Sequence, residues 1–126
     1  ELIVKAISTT KDTLSIPPKL WLFGVMDDGK SSYVLPDQYD GDAYFDGYRK
    51  DDTDTTRNIS TYHFTITRYL QQVISGRLGN NGLHLCVQDG NTSFYRILVG
   101  GGTPTLTGGG ENKYQMKLNV TYTKLN

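Results

Sequence analysis

A single cysteine, Cys86, stands in 126 residues. The chain therefore forms no internal disulfide and offers no set of thiolates for a zinc site. Glutamate is nearly missing too, with Glu1 and Glu111 the only two. A glycosidase needs two carboxylates facing each other across a cleft, and here the acids are aspartates crowded into one stretch. No Gly-x-Ser-x-Gly elbow occurs to expose a nucleophilic hydroxyl. Charge of one sign is also lacking, because 13 basic residues balance 13 acidic ones. Without a basic excess the chain builds no stripe to neutralise phosphates, which excludes nucleic acid as the expected partner. No apolar run is long enough to span a bilayer. These absences together point away from an enzyme.

What is present favours strands. Nine Tyr and many Thr suit a pleated, half-buried surface, and 14 Gly fit a sheet protein rich in loops. A chain of this length makes one domain, here taken as residues 1–126, burying about two thirds of its unfolded surface. Strands are expected over Glu1 to Ser8, Lys19 to Met26, Ser31 to Leu35, Ser60 to Ile66, Leu83 to Val87, Ser93 to Val99 and Lys113 to Lys124. Pro17-Pro18 interrupts pairing because proline has no N–H to give. Asp27-Asp28-Gly29-Lys30, Asn80-Asn81-Gly82 and Asp89-Gly90-Asn91 are turn signals, the last predicting a hairpin between the strands around it.

One helix is expected after Thr67, whose hydroxyl is placed as the N-cap. Tyr69, Leu70, Val73 and Ile74 form one apolar stripe over about two turns, and Gly76 ends it. Tyr62, Phe64, Ile66, Leu83, Leu85 and Val87 are assigned to the inside, and the first and last strands are expected to lie side by side. The pattern predicts an all-β, antiparallel, jelly-roll-like sandwich of seven to eight strands with one short helix.

The segment from Asp37 to Asn58 follows no period beyond one short strand expected around Ala43 to Tyr48. A connection of that length is a natural place for function. Asp37, Asp40, Asp42 and Asp46 supply the hard oxygen ligands that Ca²⁺ takes, although Asp40-Gly41-Asp42 lacks the spacing of a calcium-binding loop. A solvated acidic loop is the plain alternative. Tyr39, Tyr44, Phe45 and Tyr48, with Arg49, offer rings and hydrogen-bonding groups suited to stacking a sugar. The competing reading has alternate rings plugging the edge of the sandwich. Trp21 is read as core, since large rings dominate core burial, and Cys86 as a packed thiol. His84 and Cys86 share a strand face but lack a third metal ligand. Arg68 and Arg96 are expected to tie down loop or helix carbonyls.

Tyr62-His63-Phe64-Thr65-Ile66-Thr67-Arg68-Tyr69-Leu70-Gln71-Gln72-Val73-Ile74-Ser75-Gly76 resembles an element of a Bacteroidetes family of surface lipoproteins of unknown function. Asn81-Gly82-Leu83-His84-Leu85, Arg96-Ile97-Leu98-Val99-Gly100-Gly101 and Met116 to Lys124 extend the resemblance in order. The same order is similar to jelly-roll modules of secreted bacterial proteins. The resemblance implies the C-terminal domain of a longer exported protein, held at the outer membrane or cell surface through a lipid anchor. It implies partners among other domains of the same polypeptide or envelope proteins. Asp12-Thr13-Leu14 and Asp54-Thr55-Thr56 match the short signals at which these bacteria attach O-glycans. The expected function is a non-catalytic structural or interaction domain of the envelope. The alternative is a carbohydrate-binding module built on residues 37–54, with Ca²⁺ as an aid.

Overall fold

The computed structural model describes residues 1–7, 15–51, 59–88, 95–105 and 108–124. Its eight strands are β1 (Leu2–Ile7), β2 (Leu20–Val25), β3 (Ser32–Val34), β4 (Asp46–Asp51), β5 (Ile59–Phe64), β6 (Leu83–Val87), β7 (Leu98–Val99) and β8 (Lys117–Leu118). A 3-10 turn over Pro36–Asp40 leads into the four-residue helical turn α1 (Asp42–Phe45), and one longer helix, α2 (Thr67–Ile74), follows β5.

The strands form two antiparallel sheets in a sandwich-like arrangement. In the larger sheet β4, β5 and β1 are neighbours, and β7 and β8 share the far edge of β1. The β1–β5 ladder runs unbroken from Leu2 opposite Phe64 to Ile7 opposite Ile59. The smaller sheet is β3-β2-β6, with Leu22 opposite Leu85 and Phe23 opposite both Val34 and His84. Between them Val4, Ala6, Leu20, Leu22, Leu35, Phe45, Tyr62, Phe64, Ile66 and Tyr69 close into one core. Phe45 and Phe64 meet edge to face at 5.5 Å, a favoured aromatic geometry.

Chain reversals are set by local chemistry. Asp28 closes the β2–β3 turn by accepting from the Lys30 and Ser31 amides at 2.8 Å each. After α1 the backbone turns through positive φ at Asp46 and Gly47. A Cβ at Gly47 would lie 2.6 Å from the Leu20 carbonyl oxygen, so only glycine brings β4 this close to β2. Gly76, at φ 78°, follows the end of α2 as expected.

The short strand expected around Ala43 to Tyr48 is replaced by α1 over Asp42–Phe45, with β4 starting only at Asp46, and four further expectations change. Thr67 does not cap α2; Ile66 holds the cap position and no side chain of its own caps it. The donors are met instead by Asp37, 31 residues back, with Arg68 N–H at 2.9 Å on Oδ1 and Tyr69 N–H at 3.0 Å on Oδ2. A fully buried carboxylate does what a local hydroxyl was expected to do. Second, β7 pairs with β1, Ala6 opposite Val99, and not with β6, so the two sides of the predicted hairpin lie in different sheets. Residues 89–91 of its turn lie outside the described residues. Third, the long final strand is reduced to Lys117–Leu118, which does pair with β1. Asn119 exchanges bonds with Glu1, and Val120 and Tyr122 are exposed despite their alternation. Fourth, the stripe on α2 is narrower than its period suggests, since Tyr69 is buried but Ile74 is 83% exposed.

Candidate functional site

Strand β2 alternates, but both of its faces carry large apolar groups. Leu20 and Leu22 point to the core, so Trp21 and Phe23 point outward and stay half-buried. Their rings lie nearly parallel, 11° apart with centroids at 5.8 Å. Trp21 is therefore not a core residue, because an apolar run that is read as one buried strand also alternates. Cys86 and His84 face Trp21 and Phe23 from β6, and Val34 flanks Phe23 from β3. The thiol of Cys86 is exposed. Trp21, Phe23, Cys86, Val87 and Gln88 line a shallow hollow of about 330 Å³.

At the end of this face the acidic segment arrives. Lys19, one residue before β2, has a side chain only 2% exposed. Its ammonium lies 3.1 Å from Asp42 Oδ2, 4.9 Å from the Trp21 ring centroid and 4.4 Å from that of Tyr48. Two ring faces and a carboxylate are what a desolvated ammonium needs in place of water. The hydrogen bond from Lys19 is the main cause that holds the Asp42 carboxyl below its usual range, and bonds from Gln38 and Tyr48 add to it. Gln38 Nε2 donates to Asp42 Oδ1 at 3.0 Å, while Gln38 Oε1 is buried with no partner among the described residues.

The residues expected to act together in the 37–54 stretch are dispersed. Asp37 is buried under α2 as its cap. Asp40 pairs with Arg68 at 2.8 Å, Asp42 with Lys19, and Asp46 with Lys50 at 2.7 Å. Each carboxylate has its own cation or amide donors. Among the described residues no group of three His, Cys, Asp or Glu converges to hold a metal ion. The calcium arrangement is thus replaced by four separate polar contacts.

The rings divide as well. Phe45 is fully buried against Phe64, so it plugs the core and offers no stacking face. Tyr39 and Tyr44 are exposed, by 79% and 40%. Tyr48 alone joins the outer face, through Lys19. Arg49 turns the other way, donating to the Ile16 carbonyl at 3.3 Å and pairing with Asp51. Sequence reasoning missed Lys19, Gln38, Trp21 and Phe23 as members of the site. The alternation of β2 was the available signal for the two rings; Lys19 and Gln38 gave none.

Two histidine contacts complete the picture. Ser32 Oγ and His84 Nδ1 are 2.6 Å apart, bridging the outer face near buried Val25. His63 is bonded to the Glu1 carboxylate. Arg68, expected to tie down a carbonyl, pairs with Asp40 and bonds no carbonyl among the described residues. Among the described residues no helix is long and apolar enough to cross a membrane. No family model matches the chain, and no similar curated protein or solved structure was found.

Proposed function

We propose that this chain is a non-catalytic interaction domain of the bacterial cell envelope, with the outer face of the three-stranded sheet as its contact surface. The observation that carries this is the outward pair Trp21 and Phe23, left half-buried beside an exposed Val34 and Cys86. Aromatic side chains concentrate binding energy at interfaces because they bring a large area with little rotamer entropy to lose. The envelope setting is supported by the resemblance of 62–76, 81–85, 96–101 and 116–124 to the surface lipoproteins. Asp12-Thr13-Leu14 and Asp54-Thr55-Thr56, which support export, lie outside the described residues. The Ser32–His84 pair is read as a bridge near Val25 and not as nucleophile and base, since both residues are exposed on an open sheet face.

A second reading, that the contact is with a glycan, is favoured by one further observation. Tyr48 and Asp42 gather around the Lys19 ammonium, which also lies over the Trp21 ring, and Gln38, whose Oε1 has no partner among the described residues, donates to Asp42. Such groups fix the orientation of a sugar whose ring stacks on an aromatic face.

Cys86 makes the first reading testable, because it is the only cysteine and stands directly opposite Trp21. Maleimide labelling of Cys86 is to be several-fold slower in envelopes of the producing organism than in the purified domain. Equal rates, with a denatured control fully labelled in both, would overturn the proposal. For the second reading, polysaccharide affinity gels are to retard the domain and not its Trp21→Ala variant. Equal mobility of the two would remove the glycan.

A further inference from the structure

A second concavity lies at the other end of the smaller sheet, between the β2–β3 turn and the segment after α2. It measures about 480 Å³, within the range of small-molecule sites. Its apolar lining is Val25, Met26, Tyr33 and Leu78, and its polar lining includes Asp27, Asn81 and Arg77. The walls are tied in place. Val25 N–H donates to the Gly82 carbonyl at 3.2 Å, and the Arg77 and Leu78 amides both donate to the Gln72 carbonyl.

The polar groups differ in what they have left to give. Asp27 Oδ1 accepts from Asn81 Nδ2 at 2.7 Å across the cleft. Asp28 spends its oxygens on its own turn, with Ser31 Oγ at 2.6 Å on Oδ2. Arg77 is different, for its guanidinium has no partner among the described residues. The hydroxyl of half-buried Tyr33 has no hydrogen-bond partner among them either. Tyr33 is held firmly nevertheless. Its ring covers Gly24 so closely that a Cβ there would lie 2.1 Å from Cζ.

A guanidinium fork and a phenol are both donors, and both line the cleft beside its apolar residues, while Asp27 and Asp28 accept from donors of their own. That combination recognises a planar anion attached to an apolar body, since Arg meets a carboxylate with two parallel N–H bonds. We infer that the cleft between the β2–β3 turn and residues 77–81 binds a small amphipathic carboxylic acid, with Arg77 and Tyr33 on its carboxylate. Met26, 44% exposed at the rim, covers the apolar body. Methionine suits this place because its unbranched thioether adapts to different shapes. The site is separate from the Trp21 face and does not depend on the interaction reading above.

The experiment is a ¹H–¹⁵N NMR titration of the intact chain with 3-phenylpropionate, and with 3-phenylpropionamide as its neutral counterpart. The acid is to shift the amides of Asp27, Arg77, Gly79 and Asn81 in a saturable way, and the amide compound is to do so only weakly. Arg77→Gln is to weaken the acid about tenfold or more, the loss of one charge-assisted contact, and Tyr33→Phe several-fold less. Arg68→Gln, on the adjoining hollow of α2, is to leave binding unchanged. The inference is overturned if acid and amide act alike, if the shifts never saturate, or if Arg68→Gln weakens binding as much as Arg77→Gln. Both Arg77 and Arg68 are exposed, so their variants fold.

Discussion

The junction under α2 and the outer face of β2 are built from the same residue types, aspartate and aromatic rings, and use them in opposite ways. At the junction, Asp37 is fully buried and both its oxygens accept helix amides. Nearby in the core, Tyr62 is also fully buried and donates to the Pro17 carbonyl at 2.6 Å. These polar atoms are matched to backbone atoms whose positions the fold already sets. On the outer face the contacts run between side chains: Lys19 to Asp42, Lys19 to two rings, Gln38 to Asp42. Asp42 is 52% exposed and Trp21 is half-buried. Backbone-directed polar groups hold the molecule together, whereas side-chain-directed ones at a surface can exchange their partners for a ligand. The difference separates stability from recognition, and each side can be broken by itself.

Asp37 carries the largest expected effect. Asp37→Ala leaves two buried amides without acceptors and a void where the carboxylate was. The loss is to be about 2–4 kcal/mol, above the usual cost of a helix cap because the site is dry. Asp37→Asn keeps one acceptor and is to lose roughly half of that. Urea denaturation measures both, and a loss below about 1 kcal/mol for Asp37→Ala would erase the contrast between the two regions.

Tyr62 comes next. Tyr62→Phe removes one buried hydrogen bond and is to cost about 1 kcal/mol at neutral pH. Its dependence on pH is more telling. Burial pushes the Tyr62 hydroxyl up to about 12 from its ordinary 10.0. Between those values the folded chain keeps a proton that the unfolded chain releases, so stability is complete below pH 10.0 and falls toward pH 12. Burial raises Tyr69 and Tyr33 in the same direction. The gap between wild type and Tyr62→Phe is therefore to narrow as the pH rises above 10.0. A gap that stays constant over that range would mean that the hydroxyl is not buried.

The contrast also explains what could be read from the sequence. Two-residue alternation placed Tyr62, Phe64 and Ile66 inside, and they are buried. The helix, its length and its glycine stop follow from spacing that acts within a few residues. The cap on that helix was not legible, because Asp37 reaches it from 31 residues away. Alternation also failed at Val120 and Tyr122, which are exposed and lie outside the two-residue pairing of β8 with β1. The aspartates looked like one cluster because they are close in sequence. In space each faces a different cation or amide. Trp21 was assigned to the core by its size, yet its neighbours Leu20 and Leu22 already occupied the inward positions. Nothing local marks Lys19, whose cage is assembled from Trp21, Asp42 and Tyr48 only once β4 crosses to β2.

Lys19→Met tests whether the outer face is as independent of stability as this comparison holds. The replacement keeps length and apolar volume, and the carboxylate it abandons is half-exposed and finds water. The change in stability is to stay under about 1 kcal/mol, unlike the breaking of a fully buried pair. A spectroscopic sign is nevertheless to appear. Without its first hydrogen-bond donor, the Asp42 carboxyl is to titrate closer to its ordinary value of 3.8, followed by side-chain ¹³C shifts. Asp42 titrating as before would show that Gln38 and Tyr48, not Lys19, hold it down.

Arg68→Ala is to have the smallest effect, and it is the sharpest control for Asp37. Both side chains act on the first turn of α2, Asp37 through the amides of Arg68 and Tyr69, and Arg68 through its ion pair with Asp40. The Arg68 side chain is 57% exposed and that of Asp40 29%, so water replaces most of what the pair provides. A cation at a helix N-terminus also opposes the helix dipole, so its removal returns part of the loss. The net change is to be within about 0.5 kcal/mol and to shrink further in high salt. A loss comparable to that of Asp37→Ala would mean that α2 is anchored by its surface charge, and that the buried carboxylate is not what separates the two regions.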